Sequence, residues 1–112
     1  MKTPTLNLLS RAMTAYSWRL QAVAGNVANL DTPGYKRLSV SFEETLQEVR
    51  HAVPGPRDGT EVDPRVRAED RPPLLEDELM EMADTQMRTQ LASRALRHHF
   101  DRMRTGITGR SG

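Results

Sequence analysis

Two groups of side chains in the C-terminal third of the chain could do chemistry. His98 and His99 are adjacent, so on a helix their rings point about 100° apart and do not converge readily on one metal ion. No HExxH or CxxC pattern accompanies them, and we expect no metal site. The carboxylates between Glu76 and Asp84 could form an acid/base pair or a divalent cation site. The sequence instead favours a solvated first helical turn, because acidic side chains are stabilised at a helix N-terminus.

Other catalytic chemistry lacks recognisable residues. The chain has no cysteine, so it offers no disulfide and no thiolate, and it contains neither a glycine-rich phosphate loop nor a G-x-S-x-G elbow. The formal net charge is only +1, and the arginines between Arg88 and Arg104 are spread around their helix without interleaved aromatic side chains. A nucleic-acid-binding hairpin is therefore the third-ranked function. We expect no enzymatic activity, no cofactor and no small-molecule substrate.

The composition describes one small domain with a thin core. Of the 112 residues, 37% are hydrophobic, 4% aromatic and 28% charged, so help from partners is plausible. The first residues, Met1 to Thr5, are not followed by a continuous apolar run, and we expect no cleaved secretory signal.

The N-terminal third predicts a helix over about residues 5–30. Its large apolar residues repeat at alternating spacings of three and four, which is typical of a helix packed lengthwise on another helix. The predicted packing seam consists of Leu6, Leu9, Met13, Tyr16, Leu20, Val23, Val27 and Leu30. A second apolar stripe consists of Leu8, Ala12, Ala15, Trp18 and Ala22. The remaining face is uncharged, and a helix with two apolar stripes requires more than one neighbour.

A turn and an extended segment follow over residues 31–50. The tetrapeptide Thr32-Pro33-Gly34-Tyr35 has proline and glycine at the two central positions of a type II turn. Residues 38–42 then alternate apolar and polar, as in a short strand, and residues 42–49 predict a brief helix. Residues 51–73 are rich in proline and charge and predict a mobile loop.

The C-terminal third predicts a helix over about residues 75–107. Its apolar seam is Leu75, Leu79, Met82, Leu96, Phe100, Met103 and Ile107, with Gln86, Thr89 and Ser93 at the polar centre. Acidic residues at the start and arginines in the second half complement the helix dipole. The predicted fold class is therefore mainly α: long N- and C-terminal helices paired as an antiparallel coiled-coil hairpin, joined by an extended or disordered middle loop.

The residues around the turn resemble a known family. Asn26-Val27-Ala28-Asn29 followed by Asp31-Thr32-Pro33-Gly34-Tyr35-Lys36-Arg37 is similar to the N-terminal signature of bacterial flagellar rod and hook proteins, in which a helix with an A-x-N-x-A-N element runs into T-P-G-Y-K. The short length and the segment from Leu75 onward resemble the proximal rod component of that family. Thr89 and the segment from Arg71 to Leu75 depart from the family pattern.

The resemblance implies a structural subunit of the proximal rod, a single rod-core domain in the basal body that spans the periplasm. It implies assembly through the terminal helices into a hollow, torque-transmitting shaft, with copies of itself, other rod proteins, the rod base and export gate as partners. It also implies export by the flagellar type III apparatus without a cleaved signal peptide. On this reading the assembly motif comprises Asn26, Asn29, Thr32, Pro33, Gly34, Tyr35 and Lys36. The alternative is a cytoplasmic helical-hairpin adaptor or export chaperone.

Overall fold

The computed structural model describes residues 4–44 and 62–108, with side chains to residue 106. Four elements follow one another along the chain: helix α1 (Pro4–Ala28), strand β1 (Leu38–Ser41), strand β2 (Arg65–Ala68) and helix α2 (Leu75–Thr108). The two helices pack antiparallel, because Asn26 near the end of α1 meets Glu78 near the start of α2, while Leu6 and Phe100 line one groove at the other end. The prediction of a mainly helical hairpin is confirmed. Within the described residues, no helix is long and apolar enough to cross a membrane.

The ends of α1 lie close to the predicted ones. Pro4 is the first helical residue, a position where proline costs no hydrogen bond. The helix ends at Ala28, two residues earlier than expected, and Asn29 and Leu30 belong to the turn.

The two strands form an antiparallel sheet that the sequence predicts only in part. β1 confirms the extended segment, and it pairs with β2 in the register Leu38 to Ala68 and Ser41 to Arg65. The expected loop over residues 51–73 is therefore wrong for residues 65–68. Four alternating residues are too few to be recognised as a strand when the partner strand lies 27 residues earlier. Glu43 and Glu44 begin a helical turn, and the rest of the helix predicted at 42–49 lies outside the described residues.

The apolar core lies between α1 and the sheet segment. It consists of Ala12, Ala15, Ala22, Val40, Phe42 and Val62, with Leu8, Tyr16 and Leu38 packed against it. The second apolar stripe of α1 is thus covered by the chain's own strands. Trp18, which we assigned to that stripe, is 38% exposed, and the buried position beside it belongs to Arg19.

On α2 the buried line runs one residue before the predicted seam. Glu78, Thr85, Ala92 and His99 are buried and repeat every seven residues, whereas Leu79 and Phe100 are about half exposed. Met82, Leu96 and Met103 are half-buried. The seam prediction missed this line because two of its members are a glutamate, which was assigned to a solvated first turn, and a histidine, which was not assigned to the seam. In particular, the solvated first turn is wrong for Glu78, which is fully buried.

Candidate functional site

The segment after α1 folds into the expected turn. The Tyr35 amide donates to the Thr32 carbonyl at 3.2 Å, and Gly34 has a φ of 78°. A positive φ at the third position is the requirement of a type II turn, which glycine meets without a steric cost.

Asn29 joins the turn to the end of α1. Its amide nitrogen donates to the Gly25 carbonyl at 2.8 Å, and its amide oxygen accepts from the Thr32 hydroxyl at 3.0 Å. Helix ends leave carbonyls without partners in the helix, so Asn29 satisfies one of them and fixes the direction of the departing chain. The Tyr35 hydroxyl lies 3.5 Å from the position that a Cβ would take on Gly25, so the ring folds back over the last turn of the helix.

Asn26 serves the interior of the subunit. Its side chain is fully buried and pairs with both backbone groups of Leu38, accepting from the amide at 2.9 Å and donating to the carbonyl at 2.9 Å. The same amide group also donates to Glu78 Oε1 at 2.9 Å. One asparagine therefore holds α1, β1 and α2 together.

Arg37 completes this buried cluster from the strand side. Its Nε donates to Glu78 Oε2 at 2.6 Å, and one terminal nitrogen donates to Glu69 Oε2 at 2.7 Å. Arg71 pairs with Glu69 at 2.9 Å and with Asp77 at 3.1 Å. We call Asn26, Arg37, Glu69 and Glu78 the junction, because every oxygen of Glu78 has a charged or amide donor and the four residues come from four segments.

Arg19 forms a second buried contact, two helical turns before Asn26. Its guanidinium donates to the Val40 carbonyl at 2.9 Å and to both oxygens of Glu43 at 2.8 and 3.1 Å. Glu81 on α2 lies 3.5 Å from its Nε. Asn26 and Arg19 thus satisfy backbone groups along the edge of β1 that faces α1, as a third strand otherwise would.

The two carboxylates at the sheet are held in the charged form. Burial opposes ionisation of Glu69, but hydrogen bonds from Arg71, Ser39 and Arg37 outweigh it and lower its pKa. Burial likewise opposes ionisation of Glu43, and the hydrogen bond from Arg19 lowers its pKa overall. Both groups therefore contribute to stability as anions.

Comparison with known proteins shows that this region resembles a family. Residues 6–36 match the family model described as flagella basal body rod protein. A flagellar basal body rod protein FlgB from Aeromonas hydrophila is 38% identical over 40 residues, which is 36% of this chain and 30% of that protein. The matches support a flagellar basal body rod protein of the FlgB type. The family model matches α1 from Leu6 onward together with the turn, and this match ends at Lys36, one residue before Arg37.

The structure divides six of the seven residues of the predicted assembly motif into two sets, and the seventh, Tyr35, is half-buried against the end of α1. Asn26 and Asn29 make contacts within the subunit, as described above. Thr32, Pro33, Gly34 and Lys36 are exposed, and Lys36 has Asp70 at 3.7 Å as a loose, solvated partner. The side chains of this second set are therefore accessible to solvent.

The predicted packing seams are also unevenly covered. Val23 is buried, and the half-buried members of the seam on α1 are Leu6, Leu9, Met13, Tyr16, Leu20 and Leu30. Val27, Leu79 and Phe100 are between 39% and 50% exposed. The side chain of Ile107 lies outside the described residues.

Sequence reasoning missed the roles of Arg37, Glu69 and Glu78 in the junction and the role of Arg19 in the second buried contact. One signal was present: Arg19 and Asn26 continue the 3–4 spacing of Ala12, Ala15 and Ala22, so they lie on the face of α1 that carries the alanines. No comparable signal marked Glu78 among its acidic neighbours. Within residues 4–44 and 62–106, no three acidic or histidine side chains cluster as metal ligands would; the site offers charge pairing and positioned backbone.

Proposed function

We propose that the chain is a structural subunit of the flagellar proximal rod, without enzymatic activity. It assembles through its two terminal helices, with copies of itself and with other rod proteins, into the hollow shaft that transmits torque. It reaches this place in the periplasm through the flagellar type III export apparatus, without a cleaved signal peptide, and meets the base of the rod and the export gate there.

The observation that carries this proposal is the position of the large apolar side chains. On the two helices, the buried residues are mostly small or polar, namely alanines, Arg19, Asn26, Glu78, Thr85 and His99, and Val23 is the one large apolar exception among the described residues. Large apolar residues are left around the outside of α2, where Leu75, Leu79, Met80, Met87, Leu91 and Phe100 are between 48% and 71% exposed. Exposed apolar surface of this extent is typical of a protein that binds others, and a helical shaft surrounds each subunit with neighbours.

A direct test is mass spectrometry of hook and basal-body complexes purified from the source cells. We expect peptides of this chain at a few copies per complex. Recovery of the chain only from the cytosol of flagellated cells would instead favour the adaptor or export chaperone.

Two variants sharpen this test. Leu91 is 55% exposed and Gln90 beside it is exposed too, so an aspartate at either position leaves the subunit's own contacts intact. We expect Leu91→Asp to be lost from purified basal bodies and to abolish swimming, and Gln90→Asp to be incorporated normally. Normal incorporation of Leu91→Asp would show that this apolar surface does not mediate assembly.

A further inference from the structure

The outward-pointing backbone groups at the two edges of the small sheet differ in their hydrogen-bond partners. On the β1 side, Asn26 binds both backbone groups of Leu38 and Arg19 binds the carbonyl of Val40. Two buried side chains of α1 therefore bind three of the four outward-pointing backbone groups of Leu38 and Val40.

The register fixes which backbone groups of β2 point outward. Leu38 lies opposite Ala68 and Val40 opposite Val66. Because the backbone groups of Leu38 and Val40 turn away from β2, these are the non-hydrogen-bonded pairs of the ladder. The N–H and C=O groups of Val66 and Ala68 therefore point away from the sheet, and within the described part of the chain nothing binds them. All four residues of β2 are exposed.

The side chains along this open edge differ between the two faces of the sheet. Arg65 and Arg67 alternate with Val66, so both arginines lie on the face away from the core, and neither forms an ion pair with any other described residue. On the opposite face Val66, which is 51% exposed, borders a cleft of about 300 Å³ lined also by Trp18, Gln21, Ala22 and Leu38.

We propose that the outer edge of β2 is a strand-addition site for an extended segment of another protein with an acidic–apolar–acidic side-chain pattern. Val66 and Ala68 supply the backbone hydrogen bonds, as in other cases of strand addition. Acidic side chains of the added strand lie opposite Arg65 and Arg67, and the apolar side chain between them lies beside Val66, at the mouth of the Trp18 cleft. Side chains directly opposite on neighbouring strands are about 5 Å apart, which suits both contacts.

A second copy of this chain is a poor occupant. Among the described residues its β1 has both edges covered, so only its β2 could pair. Antiparallel pairing of two β2 strands would gather four arginines on one face, and like charges on neighbouring strands are destabilising. No described strand of a second copy therefore fits this edge, and the proposed partner is a chain of different sequence. This inference concerns the edge of β2 alone and goes beyond the proposed rod role without depending on it.

The test is titration of the full chain with the capped peptide Thr-Glu-Val-Glu-Val-Glu-Thr, with Thr-Lys-Val-Lys-Val-Lys-Thr as its control. Trp18 is the only tryptophan and lines the cleft, so its fluorescence reports occupancy. Amide exchange measured by NMR reports the edge itself. We expect the acidic peptide to shift Trp18 emission and to slow exchange at Val66 and Ala68, and the lysine peptide to do neither.

Reversing one side-chain charge leaves the backbone hydrogen bonds of β2 unchanged, so it tests the contribution of charge to peptide binding alone. Arg67→Glu should weaken the acidic peptide about threefold to tenfold, as expected for loss of an exposed ion pair plus a new repulsion, and should strengthen the lysine peptide. Arg94→Glu, an exposed arginine far along α2, should change neither. Val66→Pro removes the outward N–H and should abolish binding, provided that the Ser39 amide stays protected.

Three results would overturn the proposal. The first is no response of Trp18 or of the β2 amides to the acidic peptide at up to about 1 mM, the weak end of specific recognition. The second is equal affinity for Arg67→Glu and the unaltered chain. The third is concentration-dependent protection of Val66 without peptide, which would make a second copy the occupant.

Discussion

The two ends of the helix pair are built on different principles. At the junction end, Asn26 and Glu78 are fully buried, and directed hydrogen bonds and an ion pair hold them in place. At the other end, Leu6, Met13 and Leu96 line a shallow apolar groove of about 570 Å³, and Phe100 at its rim is 49% exposed. Directed polar contacts specify one arrangement of the subunit itself. Half-exposed apolar surface is not directional, and a second chain can bury the rest of it.

Removal of a junction carboxylate should have the largest effect on folding. Glu78→Ala leaves Arg37 buried without its nearest anion and removes one of the two acceptors of the Asn26 amide, so we expect the free energy of unfolding to fall by about 3–5 kcal/mol. Glu76→Ala, two residues earlier and exposed, should change it by less than about 0.5 kcal/mol. Urea unfolding followed by circular dichroism measures both, and similar losses would remove the distinction between buried and solvated acids on α2.

The next largest difference in stability should be between substitutions of Asn26, in α1, and Asn29, which follows the helix. Asn26→Ala leaves both backbone groups of Leu38 unpaired inside the protein, and we expect a loss of about 2–3 kcal/mol. Asn29→Ala exposes the Gly25 carbonyl to water at the surface and should cost about 1 kcal/mol. Equal losses in the same urea experiment would show that Leu38 finds other partners.

The apolar end should respond in the opposite sense. Because Phe100 is half exposed, Phe100→Ala should lower the unfolding free energy by only about 1–2 kcal/mol, yet reduce incorporation into basal bodies strongly. His98→Ala, an exposed neighbour, is the control for both measurements. Strong loss of stability with normal incorporation would mean that Phe100 serves its own subunit.

These contrasts also explain how far the sequence could be interpreted. Large apolar spacing predicted both helices, and proline and glycine predicted the turn, since these signals are local. The junction depends on a contact between Glu78 and Asn26, which are 52 residues apart in the sequence. The sequence around Glu78 does not show whether this glutamate is buried or solvated. For the same reason β2 was not predicted. Its four residues carry no strong local strand signal, and it is a strand because it pairs with β1.

Acid should weaken the sheet side of the junction. The pKa values of Glu43 and Glu69 lie below their ordinary value of 4.5, so their contribution to stability is complete above that pH and is lost as the pH falls through the lower folded values. Glu69→Gln should therefore flatten the fall in unfolding free energy below pH 4.5 relative to the unaltered chain. A curve of the same shape for Glu69→Gln and the unaltered chain would contradict the assignment to Glu69.

The smallest effect on stability should distinguish two glycines, Gly25 near the end of α1 and Gly34 inside the turn. Gly25 lies inside α1, where alanine is favoured by about 0.5–1 kcal/mol, and its new Cβ would lie 3.5 Å from the Tyr35 hydroxyl, an ordinary contact. Gly34→Ala adds no clash, since nothing lies within 4 Å, but the φ of 78° should make it destabilising by about 1 kcal/mol.

Thermal unfolding of the two alanine variants should therefore shift in opposite directions. If Gly25→Ala raises the midpoint but lowers incorporation into basal bodies, then Gly25 is small because another chain approaches it closely. In that case the assembly surface reaches the junction end as well, and the division between the two ends applies to folding alone. If Gly25→Ala lowers the midpoint, the Tyr35 ring is held too firmly to yield, and the turn is part of the rigid junction.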